Sequence, residues 1–539
     1  MRTVRFLLFV TLAVGVLALG FPRQAQAYSW GTVTVDANGY LSWPTSVAVD
    51  TDGDPMISYG YDEYPNGDLK FAICDRSVSA NGNCDQAGDW STITVDSQGS
   101  IGESSIAVDA NRNPMISYFD DTIPYDGDLK FAVCDRLASM NGNCNQIGDW
   151  DTLTVEAQGD VGWYLDITVD SAGSPMISYA DMTDYPDWDL KFAACDRSGS
   201  VHGNCDQVGD WTTTTVEAAG NVGVYTSIAV DGDDNPMISY LDGGNDDLKF
   251  AFCDRSASAS GECDQPGDWN TVGVDSQGHV GYWTSIVTRD QGDPMISYQG
   301  DGELKFAICV RAASINGNCD QTADWNTVSV ETAQLVEDTS IAVNASGDPM
   351  IAYGRWYYQD SDLVFTACDR SASTTGDCDE QGDWSAETVD TLGDVGYTAS
   401  IAVDGNSYPM ISYHHLGDDD LKFAIGSPAP ATPMPPAATE TATAVPPLTA
   451  TLTATAQATS VTTASPTPVV TGTPTRTPTS EAFPGASPTP TEVSTPAAAP
   501  PTGAGGPPSS RFPWWAFLVA SGLAATGVAG LVILKRSQG

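Results

Sequence analysis

The sequence predicts an all-β chain built as a ring of seven four-stranded sheets, and three observations carry that prediction. Tryptophan opens a repeated unit at Trp30, Trp90, Trp150, Trp211, Trp269, Trp325 and Trp384, at spacings of 56 to 61 residues. Each unit holds four short β-type runs separated by Gly, Asn, Asp and Pro clusters. The repeated region begins with a lone copy of the fourth run and ends with a lone copy of the third, so one end has a strand too many and the other a strand too few.

In the second unit the runs are "STITV" (91–95), "SIAVD" (105–109), "PMISY" (114–118) and "LKFAV" (129–133). We call "SIAVD" A, "PMISY" B, "LKFAV" C and "STITV" D. Four strands in so short a unit expose both faces of their sheet and bury too little alone. Stacked radially, seven sheets bury one another, which is the architecture of a β-propeller. A linear solenoid would need capping ends, and none is evident. The first D run, 30–35, is expected to pair with the last C run, 421–425, completing the seventh blade and leaving no open edge.

The twelve cysteines fall in pairs ten apart: Cys74 and Cys84, Cys134 and Cys144, Cys195 and Cys205, Cys253 and Cys263, Cys309 and Cys319, Cys368 and Cys378. Each pair sits in a C-to-D connection. Seven blades have six such connections, because the seventh is interrupted where the chain begins and ends, so the last "LKFAI" runs into Gly426 instead of cysteine. Six local disulfides are expected, each contributing about 2–3 kcal/mol by restricting the unfolded chain.

Residues 1–27 combine Arg2 and Arg5, an apolar run from Phe6 to Leu19 and "AQA" at 25–27, the pattern of a secretory signal. Residues 28–426 form the propeller. Residues 427–510 turn to Pro, Thr and Ala without hydrophobic periodicity, the composition of a disordered stalk. Within 511–539, the uncharged run 514–534 followed by Lys535 and Arg536 reads as a transmembrane helix with a short basic cytoplasmic tail. "APPTG" at 499–503 resembles the sortase sorting signal, with Ala499 in place of leucine. The expected location is extracellular, anchored to the cell membrane, with sortase-type attachment to the wall as the alternative.

Residues 28–426 carry 67 of the 70 acidic residues against 15 lysines and arginines, a net charge of about −52. That excludes a nucleic acid partner, which needs a basic surface. No cofactor is required by any motif. Ca²⁺ is the one candidate ion, at Asp50, Asp52 and Asp54 in "DTDGD", although an A-to-B turn favours Asp and Gly for geometry alone.

Chain direction alternates, so the D-to-A and B-to-C connections share one face and the disulfide loops share the other with the A-to-B turns. The variable loops collect on the first face, with Tyr40, Trp43, Tyr64, Trp163, Tyr164, Trp188, Tyr225, Tyr282, Trp283, Trp356, Tyr357, Tyr358 and Tyr397 among them. Aromatic rings among carboxylates suit sugars, peptides or cations, and variation on one face of a repetitive scaffold is where binding resides. Trp356, Tyr357 and Tyr358 are adjacent, so they cannot all point inward.

Catalysis has less support. The four histidines show no metal-ligand spacing, and no nucleophile motif stands out. Six arginines follow the first cysteine of a pair, away from the variable face, leaving Arg355 as the arginine in a loop of that face. The expectation is a monomeric surface propeller for carbohydrate or protein recognition and adhesion. A propeller glycosidase or lyase is the rival, and a surface-layer protein without a specific ligand the third reading.

The units "SIAVDANRNPMISYFD" and "DLKFA" resemble exported bacterial propellers whose repeats read like "SLALDxxGxPHISYYD" and "LKYA". Methionine (Met56, Met115, Met176, Met237, Met295, Met350, Met410) stands where that group commonly has histidine. The chain is also distantly similar to sialidase-type propellers, without their S-x-D-x-G-x-x-W box. The resemblance implies the fold and no assigned active site.

Overall fold

A computed structural model describes residues 27–428, apart from 38, 64–65, 124, 290–291, 333–334 and 358–359. The signal-like segment, the stalk, the "APPTG" stretch and the apolar run 514–534 lie outside the described residues. Among those described, no helix is long and apolar enough to cross a membrane.

Seven antiparallel four-stranded sheets form in the order A-B-C-D. The A strands stand side by side around an axis, each next to the A strand of the following blade, and that of blade 7 (Val395–Val403) next to that of blade 1 (Leu41–Val49). In blade 7 the outer strand is the first of the chain: Tyr28–Asp36 pairs with Asp420–Pro428, Trp30 opposite Gly426 and Thr32 opposite Ala424. All six disulfides join cysteines ten residues apart, with Cα atoms 6.0–6.1 Å apart, each within a single blade.

The core lies between blades. One cluster joins Met115, Phe131 and Val133 of blade 2 to Leu165, Ile177, Tyr179 and Trp211 of blade 3. The seven repeat methionines are all within such cores, at 0–3% exposure. The opening tryptophan of each D strand meets the C-strand phenylalanine of the preceding blade edge-on, as Trp150 meets Phe71 with centroids 4.9 Å apart and Trp90 meets Phe423 at 4.8 Å. Such contacts add about 1 kcal/mol each beyond the area buried.

Two polar latches repeat around the ring and explain conserved letters of the unit. The tyrosine of "PMISY" is fully buried and donates its hydroxyl to the acid ending the previous blade's D strand: Tyr59 to Asp36 at 2.8 Å, Tyr118 to Asp96 at 2.8 Å, Tyr298 to Asp275 at 2.8 Å, Tyr413 to Asp390 at 2.7 Å. The lysine of "LKFA" pairs with the same carboxylate, as Lys70 with Asp36 and Lys130 with Asp96. A buried acid thus meets both a hydroxyl and an ammonium group, offsetting its desolvation.

Blade 6 departs from this in an informative way. Val364 occupies the lysine position opposite Tyr353, and Arg355 supplies the missing cation, donating to Glu331 at 3.1 Å and to the Tyr353 hydroxyl at 3.2 Å. The arginine that the sequence places in a loop of the variable face is therefore a strand residue tied into a latch.

The second latch explains the arginine of the "CDR" segments. Arg136 reaches back to Asp50 in the A-to-B turn of the preceding blade at 2.7 Å, Arg197 to Asp109 at 2.5 Å, Arg255 to Asp170 at 3.1 Å, and Arg76 to Asp404 of blade 7 at 2.7 Å across the seam. The turn of blade 6 would need its arginine from the interrupted seventh connection, and there the aspartate is replaced by the neutral Asn344. In blade 5 the polarity is reversed: Arg289 takes the turn position and pairs with Asp377 of the blade 6 disulfide loop at 3.2 Å.

Candidate ligand site at the axial mouth

The A strands extend four residues (blade 2) or five residues (the other blades) further toward the variable face than the "SIAVD" runs indicate, each through a register shift. Trp163, Tyr164, Tyr225, Tyr282, Trp283 and Tyr397, expected in D-to-A loops, are consequently strand residues. A bulge re-aims the side chain it carries. Here it leaves one residue per strand, three before the central Ile or Val, at the mouth of the axis: Pro44, Glu103, Tyr164, Tyr225, Trp283, Asp338 and Thr398.

Five of these residues are held at positive φ: Tyr164 at 51°, Tyr225 at 51°, Trp283 at 47°, Asp338 at 51° and Thr398 at 49°. L-residues with bulky or branched side chains avoid that region, and it persists only where the surroundings enforce it. The enforcement is visible. The Thr284 hydroxyl donates to the Tyr225 carbonyl at 3.1 Å, Thr339 to that of Trp283 at 2.9 Å, and Thr45 to that of Thr398 at 3.2 Å. Each threonine is itself braced by a buried hydroxyl, Ser239, Ser297 or Ser412, at 2.6–3.0 Å.

One turn of the axis below, a second ring binds the A strands together. Ser46, Ser227, Ser285, Ser340 and Ser400 each accept a backbone N–H from the next blade's A strand, as Ile106 donates to Ser46 at 3.2 Å. In blade 3 the serine is replaced by Asp166, whose carboxylate accepts from Ser105 at 2.7 Å, Ser227 at 2.8 Å, and the N–H groups of Ile228 and Ile167 at 2.9 Å. Four donors occupy its lone pairs, so its role there is to bridge blades 2, 3 and 4.

The mouth itself is divided by chemistry. Blades 3 to 5 contribute an aromatic arc in which Tyr164 and Tyr225 have centroids 4.9 Å apart, Tyr225 and Trp283 5.4 Å, and Tyr225 and Tyr282 6.0 Å, with Trp188 6.3 Å from Tyr164. Blades 2 and 6 contribute carboxylates. Burial pushes Glu103 up to about 7 despite the N–H groups of Tyr164 and Leu165 that bond it, and pushes Asp338 up to about 6 against the Thr398 N–H at 2.9 Å. The Tyr225 hydroxyl is raised well above its usual range by burial first, then by Tyr164, Asp338, Tyr282 and Glu103, so both carboxylates lie within its electrostatic reach.

Asp338 also lines a notch between blades 6 and 7, with Glu337, Gly354, Trp356, Ser361, Gly396 and Tyr397. Glu337 is pushed up to about 7 by burial and then by the charges of Asp338 and Asp394. Trp356 is 40% exposed and forms the notch's aromatic wall. Asp338 thus belongs both to the axial column and to the notch.

The remaining nominated residues separate into groups. Trp163 packs on Phe119 with centroids 4.3 Å apart and donates its indole N–H to Asp160 at 2.8 Å, a wedge between blades 2 and 3. Tyr282 donates to Asp246 at 3.0 Å beside Trp283. Tyr40 is exposed at the rim of blade 1. Tyr64 and Tyr358 lie outside the described residues, as do the side chains of Trp43 and Tyr357. Glu103, Asp166, Glu337 and Asp338 are absent from the sequence-based selection. Aligning the A runs on their central Ile or Val would have exposed them as the varying column and as the one acid in a column of serines.

Of the residues considered for Ca²⁺, Asp50 accepts the N–H groups of Asp52 and Asp54 at 2.9 and 3.0 Å on one oxygen and Arg136 on the other. Asp54 accepts the Arg76 N–H at 2.7 Å, and Asp52 pairs with Arg112. These contacts are those of a turn and an interblade latch. Among the described residues, His415, Asp418 and Asp420 in the B-to-C connection of blade 7 can each bring one ligand atom within 4.8 Å of the others.

No family model matches the chain, and no curated protein matches it. Solved structures resemble it weakly. A protein of unknown function from Dyadobacter fermentans is 10% identical with a TM-score of 0.39, over 74% of this chain and 100% of the other. The α-L-arabinofuranosidase Arb93A from Fusarium graminearum, solved with an iminosugar inhibitor, is 10% identical with a TM-score of 0.40, over 74% of this chain and 97% of the other. AofleA from Arthrobotrys oligospora is 10% identical with a TM-score of 0.36, over 61% of this chain and 90% of the other. Likeness at this level carries no argument about ligand or activity.

Proposed function

We propose that this chain is an extracellular carbohydrate-recognition propeller, tethered through its C-terminal segment, whose ligand seats on the axial aromatic arc and extends toward the Trp356 notch. The observation that carries the reading is the column at the mouth. One position per A strand varies from Pro to Glu, Tyr, Trp, Asp and Thr and is held at positive φ in five blades, and the residue before it varies too, from Trp43 to Gly102, Val224, Tyr282 and Glu337, while the strand beyond the bulge repeats. Strain maintained at a variable position of an otherwise repeated strand marks a position shaped for contact and not for folding. Aromatic faces flanked by carboxylates are the surface on which a sugar ring stacks while its hydroxyls find acceptors.

Six disulfides favour an oxidising compartment. The final described strand ends on the disulfide-loop face, opposite the proposed seat. A glycan array on the intact chain tests the proposal. Binding of a defined glycan that is lost in Tyr225→Ala, with melting unchanged, is the expected outcome; binding that survives that substitution refutes the axial seat.

The glycosidase reading keeps one specific support, the carboxylates of Glu103 and Asp338 poised near neutrality at one mouth, a condition general acid catalysis requires. Turnover of the bound glycan that disappears in Glu103→Gln would favour it over recognition alone.

A further inference from the structure

We propose that the axial seat selects a ligand carrying an ammonium group, an amino sugar with its amine free, over neutral and anionic counterparts; this rests on the reading of the axial ring as the ligand seat. Trp188, Tyr164, Tyr225, Tyr282 and Trp283 form an unbroken arc with successive centroids 4.9–6.3 Å apart. Ring faces attract a cation through their quadrupole, most strongly for tryptophan. At the two ends of the arc stand Glu103 in blade 2 and Asp338 in blade 6, accepting backbone N–H groups of the next blade, and a carboxylate there complements a cation and repels an anion.

The rest of the charge inventory sharpens the argument. All six lysines of residues 28–428 are paired with D-strand acids. Among the arginines, Arg76, Arg136, Arg197, Arg255 and Arg311 reach A-to-B turn aspartates, Arg112 pairs with Asp52, Arg289 with Asp293 and Asp377, and Arg355 with Glu331. Arg370 donates to the Gly376 carbonyl at 2.8 Å in the blade 6 disulfide loop. Among the described residues no lysine or arginine is therefore left at the mouth to receive a carboxylate or sulfate, and the histidine nearest the arc, His279, is paired with Asp246 at 2.8 Å.

The test titrates the intact protein with a β-linked glucosamine tetramer and with its fully N-acetylated form, near neutral pH and at two salt concentrations. The expected result is binding of the free-amine tetramer at least about tenfold tighter, reduced about tenfold or more in Trp283→Ala and in Glu103→Gln, the second a near-isosteric change that keeps the fold. Equal affinities, both lost in Trp283→Ala, would overturn ammonium selection and keep the seat. Preference for the cation that ignores both substitutions and fades with salt would show mere attraction to an acidic surface and overturn seat and selection together. Absence of binding by either tetramer would overturn the proposal.

Discussion

At the scale of single residues, the departures from the repeat carry the information. Arg355 takes over for a lysine that blade 6 has lost to Val364. Arg355→Leu should therefore cost about 1–3 kcal/mol, because the fully buried Tyr353 and part-buried Glu331 lose their cation. Adding Val364→Lys, which restores the latch of the other blades, should recover most of that loss; melting curves of the single and double variants decide it. Glu103 yields a second prediction. Its carboxyl rises from an ordinary 4.5 to about 7 on folding, so the native state holds a proton that the unfolded chain releases, and stability falls as pH rises between those values. Glu103→Gln should flatten that slope and stabilise the protein above pH 7 by on the order of 2 kcal/mol, the full shift being reduced by solvent screening. The latch acids act oppositely. Burial works to raise Asp96, Asp275 and Asp390, but their lysine partners and N–H donors bring them below the usual 3.8, so their contribution is full above that value and lost as pH falls through their lowered one. Denaturation monitored from pH 3 to 9 should therefore show maximal stability on the acid side of neutrality; a monotonic rise toward pH 9 would contradict the Glu103 assignment, and undiminished stability at pH 3 that of the latch acids.

At the scale of elements, each of the six later D strands starts on a tryptophan whose indole N–H bonds the carbonyl of the second cysteine six residues earlier, as Trp90 bonds Cys84 at 2.9 Å. The first D strand has no such loop before it. Its Trp30 donates instead to Glu387 at 3.0 Å, and the Tyr28 N–H reaches the same carboxylate at 3.3 Å. Glu387 stands where the equivalent positions are Ile93, Leu153, Thr214, Val272 and Val328. Glu387→Val should thus leave two part-buried donors unpaired and cost about 1–2 kcal/mol, although the same residue type is at home in blades 4 and 5. Hydrogen exchange should locate the loss in the Tyr28–Asp36 strand; uniform loosening of all blades would contradict the assignment. The strands and the disulfide loops were legible in the sequence because period-two runs and ten-residue cysteine spacing are local. The forward extension of the A strands was not, because a bulge breaks the alternation by which a strand is recognised, so Tyr164 and Trp283 read as loop residues. Glu103 and Asp338 were hidden for a further reason: among 67 acids nothing in their own neighbourhood distinguishes them.

At the scale of the whole molecule, the ring depends on one non-covalent seam, where a strand from each end of the repeated region completes blade 7. Deleting residues 28–36 should expose the Asp420–Pro428 edge and remove the acceptor Asp36 from Tyr59 and Lys70. The expected result is a concentration-dependent oligomer formed by edge pairing, or loss of cooperative melting, while deletion of the same length after Pro428 leaves both unchanged. Light scattering and calorimetry distinguish these outcomes, and a stable monomer lacking the first strand would show that the seam is dispensable. By itself, the amino-acid order determined the number of blades, the four runs within each, the pairing of the cysteines and the interruption of the seventh connection, because all of these follow from short-range patterns repeated seven times. Only the tertiary structure decided which residues meet at the axis. Residues some sixty positions apart become neighbours there through the curvature of the ring, and in Tyr225, Trp283 and Thr398 the left-handed backbone is braced by a hydroxyl of the adjoining blade, a force that no single unit contains.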